Sequence, residues 1–307
     1  MRRTVAVVLI GFGVFFLAVA PLMRTWVSSS LMKTPLTYYS ETVNVAEGAT
    51  YFNIEEVELV ENATLEAHST IRADVASSTD EVVVWDQFTW LKDADTDFGI
   101  TSTSRRAGHD RVTGQAVDCC DSMVNEESTV QSGQLWKFPF FTEQRDYDFF
   151  ETTVKEIVPM EFKGVEDVEG VEAYRFEQVV DGEVVGERTL PRSVAGLEGD
   201  GDVTGDEVFS ITRTYWIEPT TGSPLKVSED QNRVVVVDGE EVLTILDAEL
   251  VFDDTSVQNA LANSEQGRTV LPLIHTTIPL AALIIGAGFT AIGVILFLTG
   301  RSRDHHN

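Results

Sequence analysis

Val171-Glu172-Ala173-Tyr174-Arg175-Phe176-Glu177-Gln178-Val179-Val180-Asp181-Gly182-Glu183-Val184-Val185 decides the fold class. Apolar residues alternate with polar ones, as they do where a strand buries one face, and Asp181-Gly182 is a strong short-range turn signal. The stretch predicts a β-hairpin that turns at Asp181-Gly182 and leaves through Val184 and Val185. Working outward, residues 233–237 and 242–246 form a second predicted hairpin across Asp238-Gly239-Glu240-Glu241, prolonged by Leu250-Val251-Phe252. Tyr215-Trp216-Ile217 enters a turn at Pro219-Thr220-Thr221-Gly222, and residues 225–227 continue beyond it. Residues 82–90 crowd apolar and aromatic side chains into one short run. Helical spacing shows only at residues 256–262, so residues 24–268 are expected to form one large antiparallel β-rich domain.

Both flanks are of another kind. Residues 4–23 carry no charge, and twenty residues at about 1.5 Å each match a hydrocarbon core of about 30 Å. Ala18-Val19-Ala20 also has the small-x-small form of a signal-peptidase site, but Pro21 directly after it disfavours cleavage, which makes an uncleaved signal anchor the preferred reading. Residues 269–300 are likewise uncharged; Pro272 and Pro279 place the start of the second helix near Ile278, after an interfacial lead-in that contains His275. Paired arginines in residues 1–3 and 301–307 put both tails in the cytoplasm by the positive-inside rule, so the expected protein is two-pass with its main domain extracytoplasmic. Ala282, Gly286 and Thr290 on the second helix, and Gly11 and Phe15 on the first, form the predicted contact faces, between the helices or between copies in a homo-oligomer.

The 307 residues hold 22 basic against 50 acidic side chains, a formal charge of -28, which excludes nucleic acid as a partner. Asp200, Asp202 and Thr204 before Gly205 imitate the opening of a calcium loop, but Ile211 stands where the bidentate Glu belongs; Asp93, Asp95 and Asp97 alternate similarly, with Phe98 in place of the turn glycine. Solvated charged loops are the preferred reading of both. Cys119 and Cys120 are adjacent, about 3.8 Å apart at Cα, closer than ordinary disulfides. They are read as a structural turn pinned by a vicinal bridge; free thiols, a bridge between copies, or a soft metal site with His109 or His68 are the alternatives. G-x-S-x-G, H-E-x-x-H and glycine-rich phosphate loops do not occur, so no catalytic residue and no cofactor is expected. Asn62-Ala63-Thr64 is a glycosylation sequon.

Leu135-Trp136-Lys137-Phe138-Pro139-Phe140-Phe141, followed by Tyr147-Asp148-Phe149-Phe150, crowds seven aromatics into residues 135–150. Aromatics so dense in an irregular, Pro-containing segment either pack a core or line an apolar cavity; Trp136, Phe138, Phe140, Phe141 and Phe149 are the candidate ligand contacts.

Ala20-Pro21-Leu22, Lys33-Thr34-Pro35-Leu36, Ala49-Thr50-Tyr51, Asp110-Arg111-Val112-Thr113-Gly114, Trp136-Lys137-Phe138-Pro139-Phe140, Tyr174-Arg175-Phe176 and Pro219-Thr220-Thr221-Gly222 resemble the actinobacterial family known as porin PorA, over nearly the whole chain. Where that family usually shows Tyr-Pro and then Trp-Asp, this chain has Tyr147-Asp148-Phe149-Phe150-Glu151. The resemblance implies an envelope membrane protein and transfers no catalytic residue. The sequence has no train of about ten-residue lipid-facing strands, and two helices alone do not line a wide pore. In topology only, one helix at each end of a β-rich ectodomain is similar to the CD36-type scavenger receptors, whose ectodomain encloses a lipid tunnel. The expected function is binding or handling of a membrane lipid, envelope glycolipid or other amphipathic molecule. A ligand-free structural module of the envelope and an extracytoplasmic hydrolase are the competing readings.

Overall fold

The computed structural model describes residues 2–299, so the expected cytoplasmic tail 301–307, with Arg301 and Arg303, lies outside the described residues. The chain divides into two compact units, residues 34–264 and the two flanks, 1–33 with 265–307.

In the flanking unit, α1 (Arg2–Leu22) passes through a wide π turn (Met23–Val27) into the short α2 (Ser28–Leu31). At the other end α3 (Asp254–Pro272), whose residues up to Ser264 belong to the β-rich unit, leads through a second π turn (Leu273–Thr277) into α4 (Ile278–Thr299). Both ends are long and apolar enough to cross a membrane. Small residues seven apart decide how α1 and α4 meet: Ala6, Gly13 and Ala20 are buried on one, Pro279, Gly286 and Gly293 on the other. A Cβ on Gly13 would lie 2.2 Å from Thr290 Oγ1, and one on Gly286 3.0 Å from Leu17, so the backbones approach as only small residues allow. Gly286, Thr290 and Ala282 thus fall where expected. Gly11 and Phe15 do not: a Cβ on Gly11 would meet nothing within 4 Å and Phe15 is exposed, because the face of α1 that packs is set by residues 6, 13 and 20.

Residues 34–264 are built on antiparallel strands, the longest being β1 (Tyr39–Asn53), β2 (Glu58–Ala73), β3 (Val82–Asp93) and β4 (Gly99–Asp110) in the first half. Three short strands follow, β5 (Ala116–Val117), β6 (Met123–Val124) and β7 (Glu127–Ser128). The second half holds β8 (Tyr147–Glu151), β9 (Glu156–Val168), β10 (Val171–Pro191), β11 (Asp202–Glu218), β12 (Ser223–Val237) and β13 (Glu240–Phe252). Their order, β7-β6-β4-β3-β2-β1-β13-β12-β11-β10-β9-β8, is two meanders joined where the first long strand pairs with the last. The free ends of the meanders meet through the segment between them. Gly133 C=O accepts from Ala116 N–H, while Gln134 N–H donates to Asp148 C=O and Gln134 C=O accepts from Phe150 N–H. This splice curls the sheet round on itself.

Asp238-Gly239 forms the expected hairpin turn between β12 and β13, and Pro219–Gly222 the turn between β11 and β12. Asp181-Gly182 does not turn the chain. β10 runs through it to Pro191, with a register shift between Val180 and Glu183 and with Gly182 at φ 69°. The pair is a bulge, since β11 continues opposite β10 on both sides of it and there is no partner strand for a local hairpin to make.

Candidate functional site

Inside the curl lies a cavity of about 710 Å³, within the usual range for ligand sites. Strand alternation dictates its lining. Gln87, Thr89 and Leu91 on β3, Glu207, Phe209, Ile211, Arg213 and Tyr215 on β11, and Glu229, Gln231 and Arg233 on β12 are successive residues of one face. The opposite face of β11 and β12 carries exposed acids, Asp206 and Asp230, each next in sequence to a lining residue. The apolar wall comes from Leu91, Ile100, Phe149, Phe150, Ile211 and Leu246 among others.

The charged lining inverts the composition of the chain: Arg105, Lys155, Arg188, Arg213 and Arg233 face only Glu207 and Glu229. Arg213 is buried, which disfavours its charge, but Glu229 at 2.6 Å and Glu151 at 3.5 Å outweigh that and hold its pKa above the ordinary arginine value. Its Nη1 also donates to Gln178 Oε1 at 2.8 Å. Glu207 is shared by Arg188 at 2.7 Å and Arg233 at 3.3 Å. Glu151, fully buried, accepts from the backbone N–H groups of Thr153 and Val154, and Lys155 pairs with Glu127 at 2.5 Å.

Arg105 differs from the other three arginines. Its guanidinium stacks over the Trp136 ring, 4.3 Å from the centroid, with the Phe150 ring at 5.7 Å. Nε donates to Gln131 Oε1 at 2.7 Å and Nη1 to Leu135 C=O at 3.2 Å, whereas Nη2 is buried without a hydrogen-bond partner. Among the described residues no carboxylate lies within ion-pair distance of it, and burial pushes its pKa down to about 9. Trp136 is fixed in turn by Nε1 donating to Gln87 Oε1 at 2.6 Å, and Gln87 by its own bond to Ser69.

The candidate aromatics divide. Trp136 and Phe149 line the cavity. Phe138 is fully buried in a core cluster with Tyr147, Phe149, Met160, Phe176 and Ile217. Phe140 packs its ring 3.7 Å from Lys137 Nζ, and Phe141 is half-buried in a turn at φ 56°. Phe138 is held by its N–H donating to Gly222 C=O, and Gly222, at φ 71°, has to be glycine because a Cβ would sit 2.1 Å from Phe138 C=O. Cys119 and Cys120 are bonded to each other, with Cys119 Sγ in the space that a side chain on Gly108 would fill. Asp202 and Thr204 lie in β11, where Thr204 Oγ1 bonds Thr189 Oγ1 at 2.8 Å; Asp200 is in the loop before it. Asp93 accepts from Tyr51 and caps its own turn at Asp95 and Thr96.

Sequence reasoning missed the arginines of the cavity. Their signal was present: Arg213 interrupts the apolar side of Phe209-x-Ile211-x-Arg213-x-Tyr215, which is where a strand brings charge indoors.

The chain matches the family described as "Porin PorA" over residues 5–295. A protein named "Porin PorA" from Corynebacterium resistens is 23% identical over 241 residues, 58% of this chain and 58% of that protein. A second "Porin PorA", from Corynebacterium amycolatum, is 23% identical over 137 residues, 36% of each chain. The matched part therefore spans less than two thirds of either relative's length.

Proposed function

We propose, from the premise that this chain belongs to the Porin PorA family, that it is a cell-envelope membrane protein whose β-rich unit takes up a lipid or other amphipathic molecule in its internal cavity. The observation that carries this reading is a cavity of about 710 Å³ that combines an apolar wall with a few convergent polar groups, the pattern of a small-molecule site. A filled core would have favoured a purely structural module. Binding rather than catalysis is supported by the state of the carboxylates: Glu151, Glu207 and Glu229 are each engaged by arginine, which leaves none poised as a general acid or base. The name of the family suggests a channel. The exposed acids on the outward face of β11 and β12, Asp206 and Asp230, favour water rather than an apolar lipid belt around those strands, so a pore through them has less support than a binding cavity. We place the unit outside the cytoplasm, as the paired arginines of the tails direct.

The test is mass spectrometry of the full chain purified in mild detergent, with Thr89→Trp to fill the cavity. One retained amphipathic molecule per chain, lost in Thr89→Trp without a lower melting temperature, is the expected result. A chain that carries nothing and binds no added amphiphile would return the protein to the structural reading.

A further inference from the structure

Resting on that binding reading, we infer that Arg105 is the headgroup seat of the cavity and that the ligand is a single-chain amphiphile ending in a carboxylate. Every other arginine of the lining is matched by Glu151, Glu207 or Glu229. Arg105 is fixed by Gln131, Leu135 C=O and the Trp136 face, which locks the guanidinium plane and leaves Nη2 alone without a partner. A buried cation with an unfilled donor is costly, and an anionic oxygen delivered by a ligand removes that cost.

The rest of the geometry narrows the class. Two of the three guanidinium nitrogens are already committed, so the seat offers one nitrogen to a small monoanion rather than the open fork that a phosphate dianion fills. Tyr215 lines the same cavity, and burial raises its pKa, so its hydroxyl stays protonated and able to donate. Leu91, Ile100, Phe149 and Leu246 line the same cavity and give an apolar chain its contacts, while every other cation of the lining is paired with an acid. The acidic exterior does not forbid an anion inside, because exposed charges are screened over about 8 Å at physiological salt while a buried guanidinium is not.

The experiment uses the full chain in detergent with cis-parinaric acid as a fluorescent probe, displaced by palmitic acid, methyl palmitate or hexadecyl phosphate. Palmitic acid is expected to displace the probe at about tenfold lower concentration than its methyl ester, the ratio for one charged hydrogen bond. Arg105→Gln should bring that ratio to about one and Arg105→Lys should keep most of it. Gln131→Glu, which sets a carboxylate beside Nε and leaves the ring stack in place, should abolish it as well. The acid-to-ester ratio is taken within each preparation, so partial unfolding does not imitate the effect. An ester as effective as the acid on the wild-type chain, or an unchanged ratio in Gln131→Glu, overturns the headgroup seat while leaving the cavity reading intact. Hexadecyl phosphate displacing far better than palmitic acid overturns the carboxylate. Failure of the wild-type chain to bind any of these molecules overturns the cavity reading itself.

Discussion

Lys137 lies 5% exposed, with Nζ making no hydrogen bond and resting 3.7 Å from the centre of the Phe140 ring. Burial pushes its pKa down from 10.5 to about 7, Asp110 opposing the shift. The folded-state pKa is the lower one, so between pH 7 and 10.5 the unfolded chain binds more protons, and stability must rise with pH through that window. At about 1.4 kcal/mol per unit, moving from pH 7 to 9.5 is worth up to about 3 kcal/mol. The cation–π contact with Phe140 returns about 0.5–2 kcal/mol to the charged form, leaving a gain of about 1–3 kcal/mol. For a unit of this size that is a rise of roughly 2–12 °C in melting temperature. Lys137→Met, similar in volume and uncharged, should melt higher than the wild type at pH 7 and lose the slope between pH 7 and 8.5, leaving above that only the smaller rise that Arg105, its pKa pushed down to about 9, contributes. Melts of both full-length proteins in one detergent, followed by tryptophan fluorescence at pH 7, 8.5 and 9.5, check this. The upper limit avoids tyrosine ionisation, which would run the other way. A wild-type melting temperature that is flat or falling over this range, or the same slope in Lys137→Met, refutes the account of Lys137 as a cation buried at a cost.

Two further outcomes follow from close backbone approaches. Gly222→Ala places a methyl group against Phe138 C=O and forces φ 71° on alanine, so it should lower stability by about 2–4 kcal/mol, seen as an earlier melt with the cavity aromatics exposed to quencher. Gly286→Leu should separate α1 from α4, so that cysteines placed at Phe16 and Phe289, whose rings lie 6.3 Å apart across the two helices, no longer cross-link, whereas Gly11→Leu should leave that cross-link unchanged.

Patterns that depend on one or two neighbours were legible in the sequence. The apolar flanks, the Asp238-Gly239 and Pro219–Gly222 turns, and the helix around residues 256–262 needed only local rules. Asp181-Gly182 obeys the same rule and defeats it, because Asp-Gly serves a two-residue turn and a bulge equally well and only the facing strand decides between them. Gly11 and Gly13 are equally small; which of them packs depends on where the whole face of α1 points. The cavity was half legible. Aromatic density pointed to residues 136–149, and the chain then sent Trp136 and Phe149 to the cavity wall and Phe138 into the core, two residues apart from Trp136 but caught by the carbonyl of Gly222. Pairing of Arg213 with Glu151 and Glu229, far apart in sequence, exists only once β12 lies beside β11 and the curl brings Glu151, at the end of β8 and three strands away in the sheet, back to β11.

The pairing of β1 with β13 fixes when this unit can be finished. Each meander grows by local hairpins as the chain emerges, but the inner edge of the first, residues 44–51, waits for residues 246–252, which arrive only after every other strand has been made. Throughout that interval β1 presents an unpaired edge to any neighbouring chain. A nascent chain stalled before residue 246 is therefore a strand donor in search of a partner, and truncation from the C-terminal side should yield aggregates where loss of the short β7 should not.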